Sequence, residues 1–121
     1  MVQNNYSRCQ IEDLAKKIED TENRLGTIRN QVAQLDSEEV NAAHVLRREI
    51  KEVDQIRDAW KGPEANQFVD QIICEYERAQ HSMRREADRM RDELRDEESH
   101  LRRKRDSLQE DFDSINKEEN M

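Results

Sequence analysis

The chain has 121 residues, of which 41% are charged and 33% hydrophobic, with one Trp, two Tyr and two Phe. That is too polar for an ordinary globular core of this length, so one domain is the ceiling and an elongated helical protein is the expected class. A net charge of −8 discourages nonspecific attraction to nucleic acid or to an anionic membrane, and no stretch approaches the ~18 apolar residues of a membrane span.

The first residues, Met1 to Tyr6, carry neither a basic region nor an apolar run, so no Sec-type signal is expected. From Ile11 the apolar positions follow a heptad seam: Ile11, Leu14, Ile18, Leu25, Ile28, Val32 and Leu35, with Thr21 as the one lapse. The seam goes on through Glu39, Ala43, Leu46, Ile50 and Val53, where steps of four on both sides of Glu39 predict a stutter. Asp36-Ser37-Glu38-Glu39 has the spacing of a capping box, which would break the helix there; the seam running through it argues for one continuous helix instead. Gly26 is a lesser weak point in that helix.

The midpoint holds the only Trp and the only Pro, in Trp60-Lys61-Gly62-Pro63. Gly62 suits the left-handed residue that closes a helix, and Pro63 suits the first turn of the next. The second arm then reads Val69, Ile72, Tyr76, Ala79, Met83, Ala87 and Met90, followed by Leu94, Glu97, Leu101, Lys104, Leu108 and Phe112. The two seams mirror each other about Lys61, stutter included. The predicted fold is all-α: a single domain over 1–121, a long antiparallel helical hairpin or coiled coil with helices at 5–59 and 64–118, a Trp-x-Gly-Pro turn at 60–63, and frayed ends. Each arm would be roughly 80 Å long at ~1.5 Å per residue.

Four layers of this seam set an apolar residue against a polar one: Glu39/Met83, Leu25/Glu97, Thr21/Leu101 and Ile18/Lys104. Toward the turn, Val40, Ala42, Val45, Ile56, Ala65, Phe68 and Ile73 widen the stripe beyond what one facing helix can cover. The half near Trp60 is therefore expected to receive another helix pair, with Val45, Ile50, Val53, Ile56, Val69, Ile72, Ile73 and Tyr76 as the interface. The distal half reads as a coiled-coil extension.

Chemistry is hard to place on such a chain. Cys9 and Cys74 would be roughly 58 Å apart in the hairpin, too far for a disulfide, so free thiols are expected. His44 and His81 come near each other, but a metal site needs more ligands at fixed spacing. The basic run Arg102-Arg103-Lys104-Arg105 is followed at once by an acidic tail and reads as solvated helix surface. No glycine-rich phosphate loop and no nucleophile with a base in context are present. The expectation is a protein that is not an enzyme and uses no cofactor or metal.

Trp60-Lys61-Gly62 between two helices of a short acidic chain resembles the WXG superfamily of helical hairpins associated with type VII secretion in Gram-positive bacteria. The longer pattern Trp60, Gly62, Ala65, Phe68, on long arms, is similar to the small helical partners of LXG toxins. The resemblance implies a targeting factor or chaperone that pairs with the helical N-terminal domain of an LXG toxin, or with a second small WXG-like hairpin, and presents a composite export signal to the secretion ATPase. It implies a cytoplasmic protein, co-secreted in some members, and gives Trp60 and Gly62 the turn and recognition surface, with Ala65 and Phe68 packing the second helix onto the first. The family's signal, an aromatic followed four residues later by an acid, is matched only in shape by Phe112 and Asn116. The alternatives are a structural homodimeric coiled coil, for which uniform heptads would be expected, and a prefoldin-like holdase, whose β-hairpins have no room between Trp60 and Pro63.

Overall fold

The computed structural model describes residues 2–119, with side chains described for 8–118; of the frayed ends expected before residue 5 and after 118, residues 2–4 and 119 are helical, and Met1, Asn120 and Met121 lie outside the described residues. The described chain is helical apart from one short connection. Helix α1 spans Val2–Ala59 and helix α2 spans Pro63–Glu119, and the two pack against each other, consistent with a helical hairpin. Packing groups the chain into two compact units, each holding part of both helices: unit 1 is Met1–Val32 with Glu93–Met121, and unit 2 is Ala33–Asp92.

Unit 1 is centred on Leu25 and Ile28, which are buried beside Thr21. Thr21 is harmless there because its hydroxyl donates to the Lys17 carbonyl one turn back, at 2.7 Å. On α2 the inward positions recur every seven residues as Leu94, Leu101, Leu108 and Ile115. The second series is Glu98, Arg105 and Phe112, all half-buried. The expected seam is corrected at Lys104, which is exposed, while its neighbour Arg105 takes the inward place. An arginine can lie along the seam with its apolar stem and still turn its guanidinium outward, here toward Asp106 at 3.4 Å. Glu97 is tolerated because Arg24 grips it in two hydrogen bonds of 2.8 and 3.0 Å.

Unit 2 has its buried core at Ala65, Val69 and Ala87. Its inward series on α1 is Glu39, Leu46 and Val53, flanked by Leu35 and Ala42. Ala43 and Ile50 are half-buried beside Ala42 and Glu49, and Arg57 is half-buried where Ile56 is exposed, so the inward side shifts by one position past Glu39, as the predicted stutter requires. The matching interruption expected on α2 is absent: Ala79 is exposed and Gln80 is half-buried. Residue type misled here, since alanine costs little on either side of a helix and the heptad set by Ile73 and Ala87 demands position 80.

The helix does not break at Asp36. Arg91, from α2, donates to Asp36 at 2.8 Å, to Asp88 at 2.9 Å, and to Glu39. The two carboxylates that form a capping box by spacing are thus both held by one guanidinium across the helix pair. An Asp and a Glu one turn apart make a capping box when the backbone N–H groups are free, and an arginine site when they are already bonded within a helix.

Candidate functional site

The connection is built by Trp60, Lys61 and Gly62. The Trp60 N–H donates to the Ile56 carbonyl at 2.7 Å, which ends α1, and the Gly62 carbonyl accepts from Asn66 N–H at 3.1 Å, which opens α2. Gly62 therefore acts as the N-cap of α2 and not, as the sequence suggests, as the residue closing α1. Its φ of +135° is open to glycine and strained for other residues. Pro63 follows at the first helical position, where its missing N–H costs nothing.

Ala65 is buried at the base of this connection, as expected, but Phe68 is not. It stands 45% exposed beside Trp60, 48% exposed, with ring centroids 5.9 Å apart and planes tilted by 57°. The tilted pair is a favourable aromatic contact, and both rings keep an accessible face. Near the connection Arg57 donates to Asp70 at 2.6 Å; its Nε lies 3.1 Å from Asp54 without a hydrogen bond, so that contact is one of charge alone.

The residues assigned to the interface divide by depth. Val69 is fully enclosed by its own chain, and Ile50, Val53, Ile72, Ile73 and Tyr76 are half-buried. Val45 and Ile56 are exposed. Burial, together with the carboxylates of Glu49, Glu52 and Glu75, pushes the Tyr76 phenol above its ordinary value. Two residues that the heptad placed inside prove exposed: Met83 at 48% and Met90 at 44%. They line a shallow groove whose floor is Leu35, Ala42 and Ala87 and whose rim carries Glu38, Glu39 and Glu86. The signal for them lies in the same unbroken heptad of α2, which leaves positions 83, 86 and 90 on one flank of the seam.

Other expected sites are quieter. Phe112 is half-buried and Asn116 exposed, with Ile115 beside Leu14 in a shallow depression of unit 1. Cys9 and Cys74 are free and exposed. His44 and His81 are exposed, and among the described residues no group of three or more His, Cys, Asp or Glu side chains is placed to hold a metal. No helix of the described residues is long and apolar enough to cross a membrane.

No protein-family model matches this chain, and no curated protein or solved structure is similar enough to match it.

Proposed function

We propose that this chain is a non-enzymatic targeting factor or chaperone of the WXG-like kind. In this reading the helices form a long antiparallel coiled-coil hairpin with the Trp60-x-Gly62-Pro63 turn at its tip. The chain binds the helical N-terminal domain of a type VII secretion substrate, an LXG-type toxin, in the cytoplasm and helps present it to the secretion ATPase. A second small WXG-like hairpin is the other partner the resemblance implies.

The observation that carries the reading is where apolar side chains remain in solvent. Among the described residues, the large ones that are exposed are Val40, Val45, Ile56, Trp60, Phe68, Met83 and Met90. All belong to unit 2, the part containing the Trp-x-Gly sequence, and such clustering marks a surface that another protein covers. The Phe112/Asn116 pair does not supply an acidic export signal, so on this reading the partner carries that signal.

Co-expression with the large protein encoded beside this chain, followed by size-exclusion chromatography with light scattering, tests the reading. A stable mixed complex that renders the large protein soluble supports it. A homodimer indifferent to that protein would replace it with the structural coiled coil.

A further inference from the structure

The exposed apolar residues of unit 2 are not scattered around the helix pair. On α1, Ala42, Val45, Ile56 and Trp60 belong to one ladder of three- and four-residue steps, which puts them on a single flank of the seam. On α2, Phe68, Ile72, Ala79, Met83 and Met90 form another such ladder. Three observations join the ladders into one face. Ala42 meets Met83 and Met90 in the same groove, Trp60 contacts Phe68 at the other end, and between them Tyr76 feels the carboxylates of Glu49 and Glu52. Of the exposed large apolar residues only Val40 falls outside this face.

The charge on the face is of one sign. The ladder positions not occupied by apolar residues are Glu38, Glu49 and Glu52 on α1 and Glu75 and Glu86 on α2. Among the described residues, no Lys or Arg lies within ion-pair distance of Glu38, Glu49, Glu52 or Glu75, and Glu86 has only Arg89 at 3.9 Å. The other flank differs: there Asp36, Asp54, Asp70 and Asp88 are held by Arg57 or Arg91, and Arg91 also holds Glu39 at the seam. One flank of unit 2 is closed by its own ion pairs, while the other offers an apolar stripe bordered by carboxylates of which only Glu86 has a cation within ion-pair distance.

From this we infer that the face is a docking site for an amphipathic helix whose apolar stripe is flanked by Lys or Arg. A second copy of this chain is the wrong occupant, because face-to-face pairing would set the same unpaired glutamates against each other. The inference deepens the proposed function by naming the chemistry of the partner's helix, and it rests on that reading only for the partner's identity.

The test uses the full chain and two synthetic helical peptides of about four heptads, identical in their leucine stripe but flanked by Lys in one and Glu in the other. Trp60, the sole tryptophan, reports binding by its fluorescence, with calorimetry as a second measure. The Lys-flanked peptide is expected to bind at least about tenfold tighter at low salt, with the margin shrinking as salt rises. The double substitution Glu38→Lys with Glu86→Lys should reverse the preference. Met83→Asp with Met90→Asp should weaken binding by about a hundredfold, while Val40→Asp, equally exposed on the other flank, should leave it unchanged; circular dichroism confirms that each variant folds. Equal binding of both peptides, or loss on Val40→Asp alone, overturns the inference, as does a homodimer that Met83→Asp dissociates. If the neighbouring large protein forms a complex insensitive to Met83→Asp, the targeting reading stands and this face is wrong; if the Lys-flanked peptide binds but that protein does not, the face stands and the targeting reading falls.

Discussion

Unit 1 and unit 2 are made from the same two helices, and they treat their apolar residues differently. Unit 1 encloses Leu25 and Ile28, and each polar residue at its seam has a private solution: Thr21 bonds back to its own helix and Glu97 is gripped by Arg24. Unit 2 has an enclosed core of two alanines and one valine, and it leaves Met83, Met90, Trp60 and Phe68 half in water. A two-helix packing can bury only one narrow stripe. Where the stripe is narrow the unit is complete in itself, and where it is broad the surplus awaits a partner.

The largest expected effects test that contrast directly. Ile28→Ala, at a side chain with no exposed surface, should cost about 3 kcal/mol in chemical denaturation. Met90→Ala on the open face of unit 2 should change stability by less than about 0.5 kcal/mol. Comparable losses would mean that Met90 is core and that the two units do not differ. Next in size are the two glycines, which should move in opposite directions. Gly62→Ala must hold a positive φ and should cost about 1–2 kcal/mol, although open space surrounds the added Cβ. Gly26→Ala sits inside α1 with nothing within 4 Å of the new Cβ, and should stabilise by about 0.5–1 kcal/mol. Thermal melts of both variants measure this.

Much of the fold is legible in the sequence. Ile11, Ile18, Leu25 and Val32 repeat every seven residues, and no strand or globular pattern accommodates them; Gly62-Pro63 marks where one helix must give way to the next. The phase of α2 was harder. The apolar pattern points to Ala79 and Lys104 as inward where Gln80 and Arg105 are, because a binary pattern cannot see that an arginine stem covers a seam or that an alanine is indifferent to solvent. That slip hid Met83 and Met90, since a seam drawn through Ala79 draws them inside. Trp60 was legible as special from its place at the midpoint. The Trp60–Phe68 contact was not, because it depends on how the connection leaves α1.

Arg91 gives a subtler way to sharpen the comparison. It is the clasp of unit 2, reaching Asp36, Glu39 and Asp88. Arg91→Leu keeps the apolar stem and releases the two carboxylates that match a capping box. A melting temperature lower by a few degrees is expected, with amide hydrogen exchange rising most at residues 36–39, where the freed side chains compete for backbone N–H groups. Exchange rising evenly along α1 would show that Arg91 supports the pair without suppressing a local break.

The smallest expected effect belongs to the corresponding clasp of unit 1. The hydrogen bond from Arg24 holds the Glu97 carboxyl below its ordinary value, and the Arg24 charge adds to this while partial burial opposes it. A carboxylate so depressed binds fewer protons folded than unfolded, so its stabilisation is complete above the unfolded pKa and is lost as pH falls through the folded one. Both side chains are about two-fifths exposed, so water and salt screen the pair and the effect is modest. Melting followed from neutral pH down to about 3 should show a loss in the wild type that Glu97→Gln largely removes, and ~1 M salt should narrow the gap between them. Amide exchange at acid pH should differ between the two proteins in unit 1 and coincide in unit 2. A change shared by both units would mean that Arg24 and Glu97 contribute to a single cooperative structure, and that the contrast between a closed unit and an open one is a matter of surface alone.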